Sequence, residues 1–165
     1  GKSTMLKVLA GLIRPSAGTV SFIEDSKKQK PHTAINLFGI VSPDVIPYDE
    51  LTPMENIAFV AKMRQIEFDA KTARARLEAL GLTHSFDNPA GTMSSGMKQR
   101  LKIVLGTLHD PKVLFLDEPS SYLDMDGAGR IEDYVRNIMP GIALVVATNN
   151  PAERQWCGRT IELGV

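Results

Sequence analysis

Gly1-Lys2-Ser3-Thr4 stands at the mouth of a segment whose apolar positions Met5, Leu6, Leu9, Leu12 and Ile13 recur at helical spacing. A glycine, an ammonium and two hydroxyls at a helix start suit phosphate. The free backbone amides and the helix dipole attract an anion, Lys2 adds a point charge, and the Ser3 hydroxyl suits Mg2+. The four residues match the second half of the phosphate-loop pattern G-x-x-x-x-G-K-[S/T], with an ordinary surface helix start as the plainer alternative. Far downstream, the apolar run Val113-Leu114-Phe115-Leu116 ends in Asp117-Glu118. Asp117 there can hold Mg2+ through its waters, and Glu118 can orient or deprotonate a water attacking a γ-phosphate in line. Solvated acids at a strand end are the plain alternative.

Those groups must be positioned by secondary structure, and the sequence predicts most of it. A helix is expected over Lys2–Ile13, stopped by Pro15 and Gly18, then a strand over Thr19–Ile23 and a lysine-rich hairpin or surface loop over Glu24–His32. Ile35–Val41 reads as a buried strand. Pro43, Pro47 and Pro53 punctuate the next stretch, and Met54–Arg64 and Asp69–Leu80 carry helical patterns. A further helix begins at Ser94 or Ser95, both good N-cap acceptors, and runs to Asp110 before Pro111. Helix is also expected near Gly129–Met139, and strand over Ile142–Ala147. Short apolar runs alternating with helices indicate parallel strands buried on both faces, an α/β sheet whose functional residues gather at the strands' carboxyl ends.

Composition sets the outer bounds. The chain has 165 residues, enough for one domain with a smaller inserted lobe. Nineteen Lys plus Arg balance nineteen Asp plus Glu, so no net field draws it to nucleic acid or an anionic bilayer. Cys157 is the only cysteine, which excludes an internal disulfide framework and a Cys-based zinc site. Ile142–Ala147, the longest apolar run, is far too short to span a membrane, and no secretory signal is read. His32, His84 and His109 have no metal-ligand spacing and read as structural, and Lys27, Lys28 and Lys30 read as a solvated loop.

The segment Thr92-Met93-Ser94-Ser95-Gly96-Met97-Lys98-Gln99-Arg100-Leu101 precedes Asp110-Pro111, Asp117-Glu118-Pro119 and Ser121-Tyr122-Leu123-Asp124. With Gly1–Thr4 ahead of it, this order resembles the ABC ATPases across almost the whole chain. Met93–Met97 matches the family's signature Leu-Ser-Gly-Gly-Gln at the serine and the second glycine. The resemblance implies a phosphate-loop NTPase fold of ABC type, with a mostly parallel sheet flanked by helices. Residues 1–165 would be one ATPase domain beginning partway through its phosphate loop, and residues 51–112 an inserted α-helical subdomain carrying the signature.

The site it implies binds ATP with Mg2+. Gly1, Lys2, Ser3 and Thr4 hold the phosphates, Ser3 and Asp117 the metal, and Glu118 the water. Ser94, Ser95 and Gly96 would meet the γ-phosphate held by a second subunit, with Asp124 at the dimer interface. Where the family carries a glutamine, this chain has Pro43 between Ser42 and Asp44. Asp44 either offers an oxygen to the metal or belongs to a turn-forming Pro-Asp pair. Where the family has a histidine, Asn149 stands in Thr148-Asn149-Asn150-Pro151. Asn149 can donate a hydrogen bond but cannot carry charge or relay a proton at neutral pH. Slower hydrolysis is therefore expected.

By resemblance the protein is an ATP-hydrolysing transporter subunit at the cytoplasmic face of a membrane. It pairs head to tail with its own copy or a related ATPase subunit and drives a transmembrane permease. Direct nucleic-acid contact is not expected. The alternatives are a soluble ABC ATPase acting on nucleic acid or the ribosome, and a slow-hydrolysing, nucleotide-dependent binding module.

Overall fold

A computed structural model describes residues 1–138 and 141–164. In chain order the elements are α1 (Lys2–Leu9), β1 (Phe22–Glu24), β2 (Lys27–Gln29), β3 (Phe38–Val41), α2 (Pro53–Arg64), α3 (Ala70–Ala79), α4 (Ser95–Thr107), β4 (Val113–Asp117), α5 (Met125–Ile138), β5 (Ala143–Ala147) and α6 (Pro151–Arg154).

Among the described residues, β3, β4 and β5 form a parallel sheet in that order, with β4 central. Phe38 faces Val113 and Val41 faces Leu116, while Val113 faces Ala143 and Asp117 faces Ala147. Side chains alternate across the sheet as the strand period requires. Leu114, Leu116, Leu144 and Val146 join the larger core with α4 and α5. Phe38, Phe115, Val145 and Ala147 join Leu6 of α1 and Ala10 at its C-terminal end on the other face. The rings of Phe38 and Phe115 meet edge to face, 5.5 Å apart at 86°. Burial on both faces explains why β4 reads as a continuous apolar run.

Helices α2 and α3 pack against each other and against α4. Thr52 and Glu55 form a reciprocal capping box at the start of α2, with Pro53 at the first helical position. Asp69 caps α3 by accepting the N–H groups of Lys71 and Thr72. Arg76 of α3 then reaches α4, donating to Thr107 O and to Asp110 Oδ1, both at 2.6 Å. The α4 helix lies directly on β3, where Gly39 and Gly106 let the backbones approach. A Cβ on Gly39 would stand 2.3 Å from Gly106 O.

Several boundaries differ from expectation, each for a local reason. The first helix ends at Leu9, not Ile13. Gly11 adopts φ +76°, and a Cβ there would stand 2.6 Å from Pro31 Cβ. The N–H groups of Leu12 and Ile13 turn back to Lys7 O, and both side chains are exposed. Of the expected strand Thr19–Ile23 only Phe22 and Ile23 fall in β1, which pairs antiparallel with β2. Asp25 and Ser26 make the hairpin turn, both at positive φ as a type I′ connection demands. Ile35–Leu37 is a turn of 3-10 helix, so only Phe38–Val41 of that strand enters the sheet. The α5 helix starts at Met125, ahead of Gly129, because Asp124 accepts the Gly127 N–H on its side chain and the Ala128 N–H on its carbonyl. Met139, the expected end of that helix, lies outside the described residues. The short α6 was not expected. Asn150 caps it by accepting the Ala152 N–H at 3.0 Å.

Candidate functional site

The parallel register brings the carboxyl ends of β4 and β5 side by side, and α1 begins over them. Gly1 is the N-cap of α1, and its carbonyl accepts the Met5 N–H at 2.9 Å. Ser3 Oγ donates to Asp117 Oδ1 at 3.0 Å. Lys2 Nζ donates to Asn149 Oδ1 at 2.8 Å. Asn149 in turn gives both its backbone N–H and its Nδ2 to Glu118 Oε1, each at 3.1 Å. Thr4 lies exposed in the first turn of α1. The helix N-terminus, the Ser3 hydroxyl, one ammonium and two carboxylates thus share one corner, an arrangement of amides and positive charge that suits an anion.

Glu118 is bent to reach that corner. Its φ is +49°, an uncommon conformation for a side-chain-bearing residue, and its N–H donates to Ala147 O at 2.8 Å. Asp117, the last residue of β4, is buried with its carboxylate turned to Ser3. Ser3 Oγ with Asp117 Oδ1 is an oxygen-only donor pair. Among the described residues no three His, Cys, Asp or Glu side chains converge. That donor set fits Mg2+, which keeps several waters and takes few protein ligands beside a substrate's phosphates.

Asp44 is bonded to neither member of this pair. Val45 N–H closes a turn onto Ser42 O at 3.1 Å, with Pro43 and Asp44 at its centre. The Asp44 carboxylate meets Lys7 Nζ of α1 at 2.5 Å. That hydrogen bond, helped by the field of Asp117, raises the Lys7 ammonium above its ordinary pKa.

Ser94, Ser95 and Gly96 gather elsewhere. Ser94 Oγ caps α4 by accepting the Met97 N–H at 3.2 Å, and Ser95 opens the helix. Gly96 packs against the loop after β4, where a Cβ would stand 3.0 Å from Tyr122 O and 3.1 Å from Leu123 Cδ2. Asp124 comes directly after Leu123, and the nearby residues Tyr122 and Met125 are 82% and 93% exposed. The structure therefore holds two groups, Lys2–Ser3–Asp117–Glu118–Asn149 and Ser94–Gly96 with the turn to Asp124.

Two participants escaped the sequence reading. Gln99 Nε2 of α4 donates to Pro119 O at 3.1 Å, tying that helix to the residue after Glu118. Glu153 of α6 accepts the Ser120 N–H at 2.9 Å and also the Ser120 hydroxyl. The spacing Asn150-x-x-Glu153 is a helix-start pattern that would have flagged α6, though here the glutamate turns to another loop.

Comparison with known proteins identifies the family and the fold. The profile of the family described as ABC transporter matches residues 1–121. An uncharacterized ABC transporter ATP-binding protein of Bacillus subtilis, YdbJ, is 33% identical over 98% of this chain and 53% of its own length. The lipoprotein-releasing system ATP-binding protein LolD 1 of Caulobacter vibrioides is 32% identical over 99% of this chain and 74% of its own. The chain thus spans about half of several curated relatives, among them YxlF of Bacillus subtilis at 50%. An ATP-binding cassette solved as a dimer in a post-hydrolysis state with ADP and Pi superposes at a TM-score of 0.74. It is 22% identical and covers 94% of this chain and 73% of its own, a likeness of fold. With the family matched from α1 into the loop after β4, and with this sheet and helix arrangement beneath it, the chain belongs to the ABC transporter family.

Proposed function

We propose that this chain is the ATP-binding and ATP-hydrolysing part of an ABC transporter. The observation that carries the reading is the single corner where the N-terminus of α1, with Lys2 and Ser3, meets Asp117, Glu118 and Asn149. Lys2 and the amides of α1 bind the phosphates, Thr4 adds a second hydroxyl, and Ser3 and Asp117 would hold Mg2+. Bound there, the ion offsets charge developing on the phosphate oxygens. Glu118 accepts the proton of the attacking water, and Asn149, bonded to it twice, fixes the direction of its carboxylate. An asparagine here supplies a donor without a proton relay, which is consistent with slow turnover.

Closure of two copies head to tail is the second part of the proposal. Ser94, Ser95 and Gly96 of one copy would complete the γ-phosphate site of the other, with Asp124 at the seam. The exposed apolar Tyr122 and Met125 beside Asp124 support an interface there. The energy of that closure would drive a transmembrane permease at the cytoplasmic face of a membrane, and no nucleic-acid contact is invoked. Asp44 is the third oxygen proposed for the metal, and to serve it must leave Lys7. Lys7→Gln is then expected to lower, and Asp44→Asn to raise, the Mg2+ concentration at half-maximal activity.

The deciding experiment uses the intact protein carrying Glu118→Gln. Size-exclusion chromatography with light scattering should show a dimer with MgATP and a monomer with ADP, while turnover falls by about a hundredfold or more, as loss of a general base implies. A monomer under saturating MgATP would overturn head-to-tail closure. Undiminished turnover would remove Glu118 from the chemistry.

A further inference from the structure

We propose that Glu153 is a positioning residue for Glu118, holding the loop after β4 in the bent form that aims the Glu118 carboxylate into the site. The proposal rests on the hydrolytic reading of Glu118.

Glu153 is only 1% exposed, yet no cation pairs with it among the described residues. One oxygen, Oε1, takes both donors of Ser120, its N–H at 2.9 Å and its hydroxyl. The other, Oε2, is buried with no partner. A carboxylate kept out of water with one oxygen unsatisfied is a poor choice for stability alone, since an apolar side chain would avoid that desolvation. What the acid supplies instead is direction. It fixes Ser120, two residues beyond Glu118, in both its backbone and its side chain.

The neighbouring contacts converge on the same loop. Asn150 Nδ2 donates to Ser120 Oγ at 3.2 Å, and Asn149 bonds Glu118 from the same turn. From the opposite side Gln99 donates to Pro119 O. Glu118 itself sits at φ +49°, with its carbonyl accepting the Ser121 N–H at 3.1 Å. A residue held in a sparsely populated conformation persists only where its surroundings over-determine it. Residues 118–120 are each pinned, and Glu153 provides the only buried charged anchor among these contacts. Through Ser120 it also sets the start of the turn to Asp124, so the same clasp joins the turn carrying Asn149 to the loop that packs on Gly96.

The test compares intact protein carrying Glu153→Ala, Glu153→Gln and Ser120→Ala with the parent in two measurements. In steady-state Mg-ATPase assays, Glu153→Ala should lower kcat at least about tenfold with KM for ATP changed less than about twofold, because misplacing a base by a fraction of an ångström costs rate and not ground-state binding. In amide hydrogen exchange, residues 118–121 should exchange at least about tenfold faster while residues 1–10 keep their rates, the mark of a local opening. Glu153→Gln retains the accepting oxygen and should restore both measurements to within about threefold of the parent. Ser120→Ala keeps the backbone donor and should fall between. If Glu153→Ala does not fold, Ser120→Ala decides, and parental exchange at 118–121 in that variant overturns the proposal. So does a parental kcat in Glu153→Ala, or exchange that rises equally throughout the chain and is not rescued by glutamine. A parent protein without Mg-ATPase would end the hydrolytic reading instead, and the exchange measurement would still decide whether Glu153 holds the loop.

Discussion

Lys2 Nζ and Asn149 Oδ1 lie 2.8 Å apart, and the Nδ2 of the same amide donates to Glu118 Oε1 at 3.1 Å. The ammonium and the carboxylate are thereby joined through a neutral side chain. On the proposed reading, an incoming phosphate would compete with Asn149 Oδ1 for the Lys2 ammonium. On that reading the amide would hold Lys2 back from ATP in the resting protein as well as orient Glu118.

Asn149→Ala separates those roles. Removing an exposed hydrogen bond to Lys2 worth roughly 1 kcal/mol should tighten ATP binding about fivefold, read by titration with a non-hydrolysable analogue. Losing the donor to Glu118 should at the same time lower kcat about tenfold or more. Binding and turnover moving in the same direction would refute this division of labour.

Asn149→His introduces a side chain that can donate, accept and carry charge near neutral pH, all at the end of β5. The expected result is a higher kcat than the parent in steady-state Mg-ATPase assays. A lower one would mean that the corner between Lys2 and Glu118 has adapted to the amide.

Much of this site was legible because its parts are local signals. A Gly-Lys-Ser-Thr tetrapeptide opening a helix, an apolar run ending in two acids, and a serine capping a helix are each short stretches whose own backbone dictates their conformation. Asn149 was singled out through the family resemblance, as the residue standing where a histidine is usual, just beyond β5. Glu153 was not, because its partner Ser120 is remote in sequence and α6 has only four residues, too few for any periodicity. The Lys7–Asp44 pair was missed for the same reason, since nothing in either segment announces that α1 passes over the Pro43 turn. Leu12 and Ile13 misled in the opposite sense. Their spacing continues the helix of Leu6 and Leu9, but Gly11 and the approach of Pro31 end it first.

Gly39 and Gly129 illustrate what spacing alone does not reveal. Gly39→Ala places a methyl group 2.3 Å from Gly106 O and 2.8 Å from Leu114 Cδ1, between α4 and the sheet. Urea denaturation should show a loss of about 3 kcal/mol or more. Gly129 lies within α5 with nothing inside 4 Å of an added Cβ, so Gly129→Ala should gain about 0.5–1 kcal/mol by helix propensity. Similar effects at the two positions would mean that α4 does not approach β3 as closely as Gly39 and Gly106 imply.

His109 links this packing to pH. Its Nε2 lies 2.9 Å from Phe38 O, and its Nδ1 is buried with no partner. Burial, then the cations of Arg64 and Arg76, depress the imidazole below its ordinary 6.5, against the opposing pull of the Phe38 carbonyl and Asp110. The unfolded chain then binds the proton first as pH falls through about 6.5, and the folded chain resists it. Stability from this group is thus complete above that pH and declines below it. The urea midpoint of the parent should drop between pH 7.5 and pH 5.5. In His109→Gln, which keeps a donor for Phe38 O but cannot titrate, the drop should be smaller. Equal drops in both proteins would place the acid sensitivity in other groups.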